Sequence, residues 1–208
     1  MARYTQASCR LCRREGKKMF LKGSRCYTGK CALDRRLYAP GVHGKLRKKT
    51  SQYGIQLREK QKLKRIYSIG ETQFRNYFRK AAHRKGVTGE IFLQILESRL
   101  DNIIYRLGFA ASRNQARQLV SHGHFTVNGK KVDVPSYLTK AGDVIVLREK
   151  SRQIPQMLES FEEAKKRSPY NWLEIHPEEY KGVVKGIPSR EELDISVKEE
   201  LIVEYYSK

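Results

Sequence analysis

All four cysteines of the chain, Cys9, Cys12, Cys26 and Cys31, fall within 23 residues in the pattern C-x2-C-x13-C-x4-C. Two close thiolate pairs separated by a short loop can surround one tetrahedral ion, the arrangement of a closed structural zinc knuckle. A disulfide pair is the competing chemistry. The opening residues Met1-Ala2-Arg3-Tyr4-Thr5 lack the apolar run of a secretion signal, so the chain is expected in the cytosol, where disulfides are rare. An iron–sulfur cluster uses the same ligand type and stays open on spacing alone, as do vestigial thiols. A four-thiolate shell has no open coordination position, so the bound metal is expected to hold shape and do no chemistry.

Around the cysteines lie Arg10, Arg13, Arg14, Lys17, Lys18, Lys22, Arg25 and Lys30. This segment has too little apolar material to fold by burial, and structural zinc, worth about 10–16 kcal/mol in small peptides, supplies the missing stabilisation. The 208 residues carry a net charge of +21. By segment, the charge is +24 over 1–150 and −3 over 151–208. An excess of this size draws polyanions, and nucleic acid is the expected partner. Two runs stand out, Lys45, Arg47, Lys48 and Lys49, and then Arg58, Lys60, Lys62, Lys64 and Arg65. Both look too dense for the few nearby carboxylates to satisfy. His43, in the turn-rich Pro40-Gly41-Val42-His43-Gly44, is expected to be structural or to contact RNA rather than to ligate metal. No apolar stretch approaches the roughly 18 residues of a membrane span.

The elements that must position these groups are mostly helical at first. Phe74, Tyr77, Phe78, Ala81 and Ala82 recur at helical spacing, with Arg75, Arg79 and Lys80 off the stripe. A second stripe runs Phe92, Ile95, Leu96, Leu100, Ile103, Ile104 and Leu107, with Thr88 as N-cap and Gly108 as stop. Ser112 and Gln115 form a capping box for a helix from Arg113 that buries Ala116, Leu119 and Val120. Asn128-Gly129 between β-formers predicts a two-residue hairpin that opposes Val127 with Lys130 and Thr126 with Lys131. Val144-Ile145-Val146-Leu147 adds a third strand, giving a small α-α-β-β-β module. Arg113, Arg117 and His122 are expected on the open side of its second helix, near Lys130 and Lys131, gripping a phosphate backbone.

The segment Glu97-Ser98-Arg99-Leu100-Asp101-Asn102, with Leu107-Gly108-Phe109, Ser112-Arg113, Ala116-Arg117-Gln118-Leu119-Val120, His122-Gly123-His124 and Val127-Asn128-Gly129, resembles the RNA-binding module named after ribosomal protein S-four. Pro40-Gly41-Val42-His43-Gly44, Leu57-Arg58-Glu59-Lys60-Gln61-Lys62-Leu63, Gln73-Phe74-Arg75-Asn76 and Leu201-Ile202-Val203-Glu204 extend the likeness to the whole bacterial S-four family, in its four-cysteine form. The resemblance implies a structural constituent of the small ribosomal subunit, in the cytoplasm. Such a protein binds 16S rRNA early, nucleates 30S assembly, bears on translational accuracy and sits beside proteins S-five and S-three at the mRNA entrance. Lys45, Arg47, Lys48 and Lys49 then face mRNA. The candidate rRNA-facing side chains are Arg3, Arg10, Arg13, Arg14, Lys22, Arg25, Arg35, Arg36, His43, Arg58, Lys60, Lys62, Lys64, Arg65, Arg75, Arg99, Arg113, Arg117, His122, Lys130 and Lys131.

The expected fold is α+β: a zinc knuckle over 1–45, a helical rRNA-binding domain over 46–97 completed by 151–208, and the inserted S-four-type module over 98–150. In the acidic end, Pro155–Arg167 reads as a helix, Trp172–Ile175 and Leu201–Tyr206 as strands, and Ser189 with Glu192 as a second capping box. This end is expected to face protein, with S-five as neighbour. Pseudouridine synthases carry the same small module. They need a catalytic domain with an aspartate nucleophile, for which the chain has no room, and no nucleophile pairing or phosphate loop is present. A zinc-bearing DNA-binding regulator shares the charge and the knuckle.

Overall fold

The computed structural model describes residues 4–46, 49–155, 157, 160 and 170–207, so most of the expected helix 155–167 lies outside the described residues. Two compact units form, one from the chain up to Phe92 with its last residues from Ile195, the other from Leu93 to Asp194.

In the first unit, α1 (Cys9–Glu15) and α2 (Ala32–Arg35) flank a 3-10 turn at Gly23–Tyr27, and a second such turn spans Val42–Lys45. Helices α3 (Gln52–Ile66) and α4 (Glu71–Ala82) follow, and α5 (Thr88–Glu97) begins there. Ser51 caps α3 by accepting from the Gly54 amide at 3.2 Å. The stripe of α4 buries Phe74, Tyr77, Phe78 and Ala81 as its spacing predicts, while Ala82 is exposed. Phe92 meets Phe74 and Phe78 edge-on, with centroids 4.9 and 5.6 Å apart.

Residues 201–206 correct the strand expectation: they belong to α8 (Glu199–Tyr206). The β-branched and aromatic composition favours a strand, but tertiary packing overrides propensity. Glu199 and Glu200 suit a helix N-terminus. Ile202 is fully buried, and Tyr206, four residues on, stacks on Phe78 at 4.5 Å. Gln56 of α3 donates to Glu204 at 2.7 Å. The Lys60 ammonium lies 4.7 and 5.3 Å from the Tyr205 and Tyr206 rings and 2.5 Å from Glu71.

Burial alone would raise the Glu71 carboxyl, but the Lys60 and Lys64 ammoniums hold it below its ordinary value. A carboxyl depressed in the folded state contributes stability that is present above its unfolded pKa and lost as pH falls through the folded one. Glu71→Gln is therefore expected to cost about 1 kcal/mol at neutral pH and low salt, less at high salt, because the group is partly exposed. Denaturant titrations across pH check this; the cost should vanish on the acid side of the carboxyl's titration.

The second unit is built on an antiparallel sheet of order β2-β1-β3-β5-β4, with β1 (Phe125–Val127), β2 (Lys130–Lys131), β3 (Val144–Leu147), β4 (Leu173–His176) and β5 (Lys181–Val184). The hairpin register pairs Val127 with Lys130 and Thr126 with Lys131 as predicted. Asn128 and Gly129 both take positive φ, 49° and 77°, the requirement of a type I′ turn. Helices α6 (Leu100–Arg106) and α7 (Arg113–Ser121) complete the core, where Leu100, Ile103, Ile104 and Leu107 meet Phe125, Ile145 and Leu147. Gly182 of β5 admits Leu107: a Cβ there would lie 2.5 Å from its Cδ1.

Three expectations change in this unit. The apolar stripe 92–107 is two helices, because Arg99 is extended (φ −69°, ψ 137°) and bridges Leu138 in a short β contact. The β4–β5 pair extends the module's sheet beside β3, although the expectation places all of 151–208 with the helical domain. At Ser189, the Glu192 carboxylate accepts the backbone amide at 2.8 Å, but the chain makes a turn and no helix follows.

Candidate nucleic-acid interface

Helix α1 carries Cys9 and Cys12 three residues apart, Cys26 lies in the 3-10 turn, and Cys31 precedes α2. All four thiols are free; Cys12, Cys26 and Cys31 are buried and Cys9 is half-buried. Burial, and then the nearby Cys26, Cys9 and Cys31, push the Cys12 thiol up, against a backbone hydrogen bond at Met19. Burial likewise raises Cys26, whose sulfur accepts from the Lys22 amide at 3.4 Å. Around them is only a small apolar cluster of Cys12, Met19 and Leu21, with Leu11 and Ile66 packed against it. Among the described residues, no group of three or more His, Cys, Asp or Glu side chains stands in a metal-holding arrangement. His43 is exposed in its own 3-10 turn.

The dense basic run of α3 is ion-paired inside the unit. Arg58 pairs with Glu15 at 3.2 Å, and Arg65 reaches the same carboxylate. Lys60 and Lys64 share Glu71 at 2.5 and 2.7 Å, and Lys62 pairs with Glu59. Every cation of the run thus has a carboxylate beside it, and two of the three partners, Glu15 and Glu71, come from outside the run; as expected from its density, three carboxylates do not balance five cations. The side chain of Glu15 is only 1% exposed, so these pairs tether the end of α1 to α3. Arg13 also has an internal role, donating to the Tyr38 and Ala39 carbonyls at 3.0 and 3.4 Å. Arg10, Arg14, Lys22, Arg25, Arg35, Arg36, Lys45, Lys49 and Arg75 are exposed and form no ion pair among the described residues. Arg3, Arg47 and Lys48 lie outside those residues. Lys17, Lys30, Arg79, Lys80, Arg84 and Lys85 are exposed as well. Sequence reasoning did not assign them, although Arg79 and Lys80 stand off the apolar stripe of α4 and could have been found that way.

In the second unit the predicted phosphate grip separates into parts. Arg99 is fully buried, with its Nε and Nη2 on the two Asp101 oxygens at 3.0 and 2.5 Å. Arg117 is 7% exposed and lies 3.7 Å from the same carboxylate. Helical spacing places Arg113 and Arg117 on one face, but that face turns toward α6 at Arg117, so neither Arg99 nor Arg117 is at the surface. Arg113 is half-buried at the start of α7, where its Nε donates to Asn102 Oδ1 at 2.8 Å and its guanidinium lies 4.5 Å from the Tyr105 ring. Asn102 is oriented in turn by Glu97, whose carboxylate accepts its Nδ2 at 2.7 Å and pairs with Arg106 at 2.8 Å.

His122 follows the other end of α7, about 13 Å along the axis from Arg113. There it is exposed, with exposed Lys130 and Lys131 on β2. Gly123 (φ 72°) leaves room for the Lys131 side chain, which a Cβ would displace. Arg148 donates to the Gly123 carbonyl at 3.0 Å. Burial, then His122 and Arg148, lowers the pKa of His124, whose Nδ1 meets Ser151 Oγ at 2.8 Å. The structure thus gathers His122, Lys130 and Lys131 at one end of the module and leaves Arg113 at the other. Ser112 caps α7 as predicted, accepting from Gln115 N at 3.3 Å, but the Gln115 side chain accepts from Ala111 rather than from Ser112.

A family model described as Ribosomal protein S4/S9 N-terminal domain matches residues 3–97, and one described as S4 domain matches residues 98–145. The protein named small ribosomal subunit protein uS4 from Acetivibrio thermocellus is 62% identical over 208 residues, covering all of both chains. Those of Pelotomaculum thermopropionicum and Citrifermentans bemidjiense are 60% and 61% identical over the same full length. The chain belongs to the uS4 family. In this uS4 chain the boundary between the two matched regions falls where α5 ends, at the extended Arg99 turn. The S4-domain match ends within β3, so β4 and β5 add strands to the sheet beyond it. No described helix of the uS4 chain is long and apolar enough to cross a membrane.

Proposed function

We propose that this chain is a structural constituent of the small ribosomal subunit in the cytoplasm, where it binds 16S rRNA early and nucleates 30S assembly. Full-length identity of about 60% to proteins named small ribosomal subunit protein uS4 carries the reading. The geometry supports it through two sets of exposed cations: Arg10, Arg14, Lys22, Arg25, Arg35, Arg36 and Arg75 in the first unit, and Lys130 and Lys131, beside the exposed His122 and with the half-buried Arg113, in the second. Phosphate contacts of this kind position a protein on folded RNA, and the half-buried, hydrogen-bonded Arg113 enters with less freedom to lose. Lys45 and Lys49, with Arg47 and Lys48 between them, would meet mRNA at the entrance and so bear on accuracy. The acidic C-terminal part would face protein S-five, and proteins S-five and S-three would sit beside the chain at the mRNA entrance.

Zinc on Cys9, Cys12, Cys26 and Cys31 belongs to the same proposal. Four free thiols within electrostatic reach of one another, sulfur accepting a backbone amide, and an apolar cluster too small to fold the segment all suit a thiolate-bound cation. Zinc supplies a fixed tetrahedral centre and nothing reactive. The chain's own residues do the rest: α1 holds one pair, the 3-10 turn and the α2 N-terminus bring the other, and Glu15 anchors the end of α1.

Competition for the protein among the isolated 16S 5′ domain, random RNA of equal length and duplex DNA tests the reading. Preference for the 5′ domain by ten-fold or more is expected. Equal affinity for random RNA would reduce the protein to a polycation, and preference for duplex DNA would favour a DNA-binding regulator.

A further inference from the structure

The knuckle carries an aromatic pair that its core does not use. Phe20 and Tyr27 are stacked, with ring centroids 4.8 Å apart and planes at 24°, yet they are 36% and 58% exposed. The apolar cluster beside them is filled by Cys12, Met19 and Leu21. Phe20 holds φ at +51°, the left-handed region that Asn and Gly adopt readily and that is an outlier for a bulky side chain. Strain kept to display an exposed ring points to use of that ring. The setting is cationic: residues 16–33 contain Lys17, Lys18, Lys22, Arg25 and Lys30 and no carboxylate. Lys22 and Arg25, both exposed, lie between the two aromatics in sequence.

An aromatic face bracketed by cations matches what an unpaired base and its flanking phosphates require: the ring takes the base, and the cations take the backbone. We propose that the Phe20–Tyr27 pair is a stacking platform for one unpaired base of the bound RNA. An apolar protein anchor could use the same rings, but a cation-rich surround in which Lys22, Arg25 and Lys30 are exposed and Asp34 already pairs with Lys18 at 2.7 Å selects a polyanion. The assignment deepens the rRNA reading above and rests on it.

The test uses the full chain with zinc supplied, Phe20→Asn and Tyr27→Leu variants, and the isolated 16S 5′ domain. Asn suits the backbone at position 20, so Phe20→Asn is expected to unfold at the wild-type temperature or above it, yet to bind the RNA roughly 5- to 100-fold more weakly. Tyr27→Leu should show the same loss. Neither removes a charge, so the slope of affinity against salt should stay at the wild-type value. Chemical probing of the RNA should show one base protected by the wild type and exposed with both variants. Wild-type affinity in both variants overturns the platform while leaving the rRNA reading intact. Failure of the wild type itself to prefer the 5′ domain over random RNA overturns both.

Discussion

If the four thiols hold zinc as proposed, its chelation is expected to unfold the segment that carries Cys9, Cys12, Cys26 and Cys31 and to leave the five-stranded sheet of the second unit in place. Among the described residues, the first has a small apolar cluster of Cys12, Met19 and Leu21 with two half-buried neighbours, besides the buried Cys26, Cys31 and Leu33. The second has a continuous core in which Leu100, Ile103, Ile104, Leu107, Phe125 and Ile145 are fully buried. Structural zinc in small peptides contributes about 10–16 kcal/mol at neutral pH, far more than this cluster offers. Amide NMR before and after chelation should show resonances of residues 9–36 collapse while those of β1 to β5 persist, and Cys31→Ser should reproduce the change. The pH dependence has a definite sign. Burial raises the Cys12 and Cys26 thiols, metal takes the thiolate, and so metal affinity should fall as pH falls. An unchanged spectrum after chelation would contradict a metal-held knuckle.

Asp101→Ala is expected to destabilise the second unit by about 3–5 kcal/mol, because it removes a carboxylate from beside a buried guanidinium. The carboxylate lies between Arg99, which is fully buried, and Arg117. Burial pushes the Asp101 carboxyl up, and the two guanidiniums pull against it. Its removal takes away the carboxylate that the Arg99 Nε meets at 3.0 Å in a fully buried setting. The double variant Arg99→Leu with Asp101→Ala should recover much of the loss, since the penalty comes from unpaired charge rather than from a missing contact. Equilibrium unfolding in urea measures both; a loss under 1 kcal/mol in the single variant would show that this cluster does not hold α6 and α7 together.

Local signals in the sequence fared well where local physics decides the outcome. Asn128-Gly129 sets its hairpin because only left-handed residues fit the turn, and Ser112 caps α7 because its hydroxyl reaches a free amide two residues into the helix. The aromatic stripe of α4 is legible because Phe74, Tyr77, Phe78 and Ala81 share one face whatever packs on it. Outcomes set by distant partners were not legible. Leu201–Tyr206 is helical through its packing in the first unit, and nothing within the hexapeptide says so. The pairing of the α3 cations is not legible locally because Glu15 and Glu71 stand outside the run whose cations they pair. Arg99 and Arg117 carry the same charge as Lys130 and Lys131, and only the fold separates the buried pair from the exposed one. Of the site, the four cysteines, the exposed knuckle cations and the β2 lysines were readable as candidates. The Asn102 and Tyr105 setting of Arg113 needed three dimensions.

The central claim is that exposed cations, and not the internally paired ones, hold this protein on rRNA. Its most direct measurement is the slope of log affinity against log salt for the isolated 16S 5′ domain, compared between wild type, Lys130→Gln with Lys131→Gln, and Lys64→Gln. Each phosphate contact contributes roughly one unit of slope. A steep wild-type slope is expected, losing about two units in the double variant and none in Lys64→Gln, where the ammonium already pairs with Glu71 at 2.7 Å. A slope that falls with Lys64→Gln and ignores the β2 lysines would contradict it.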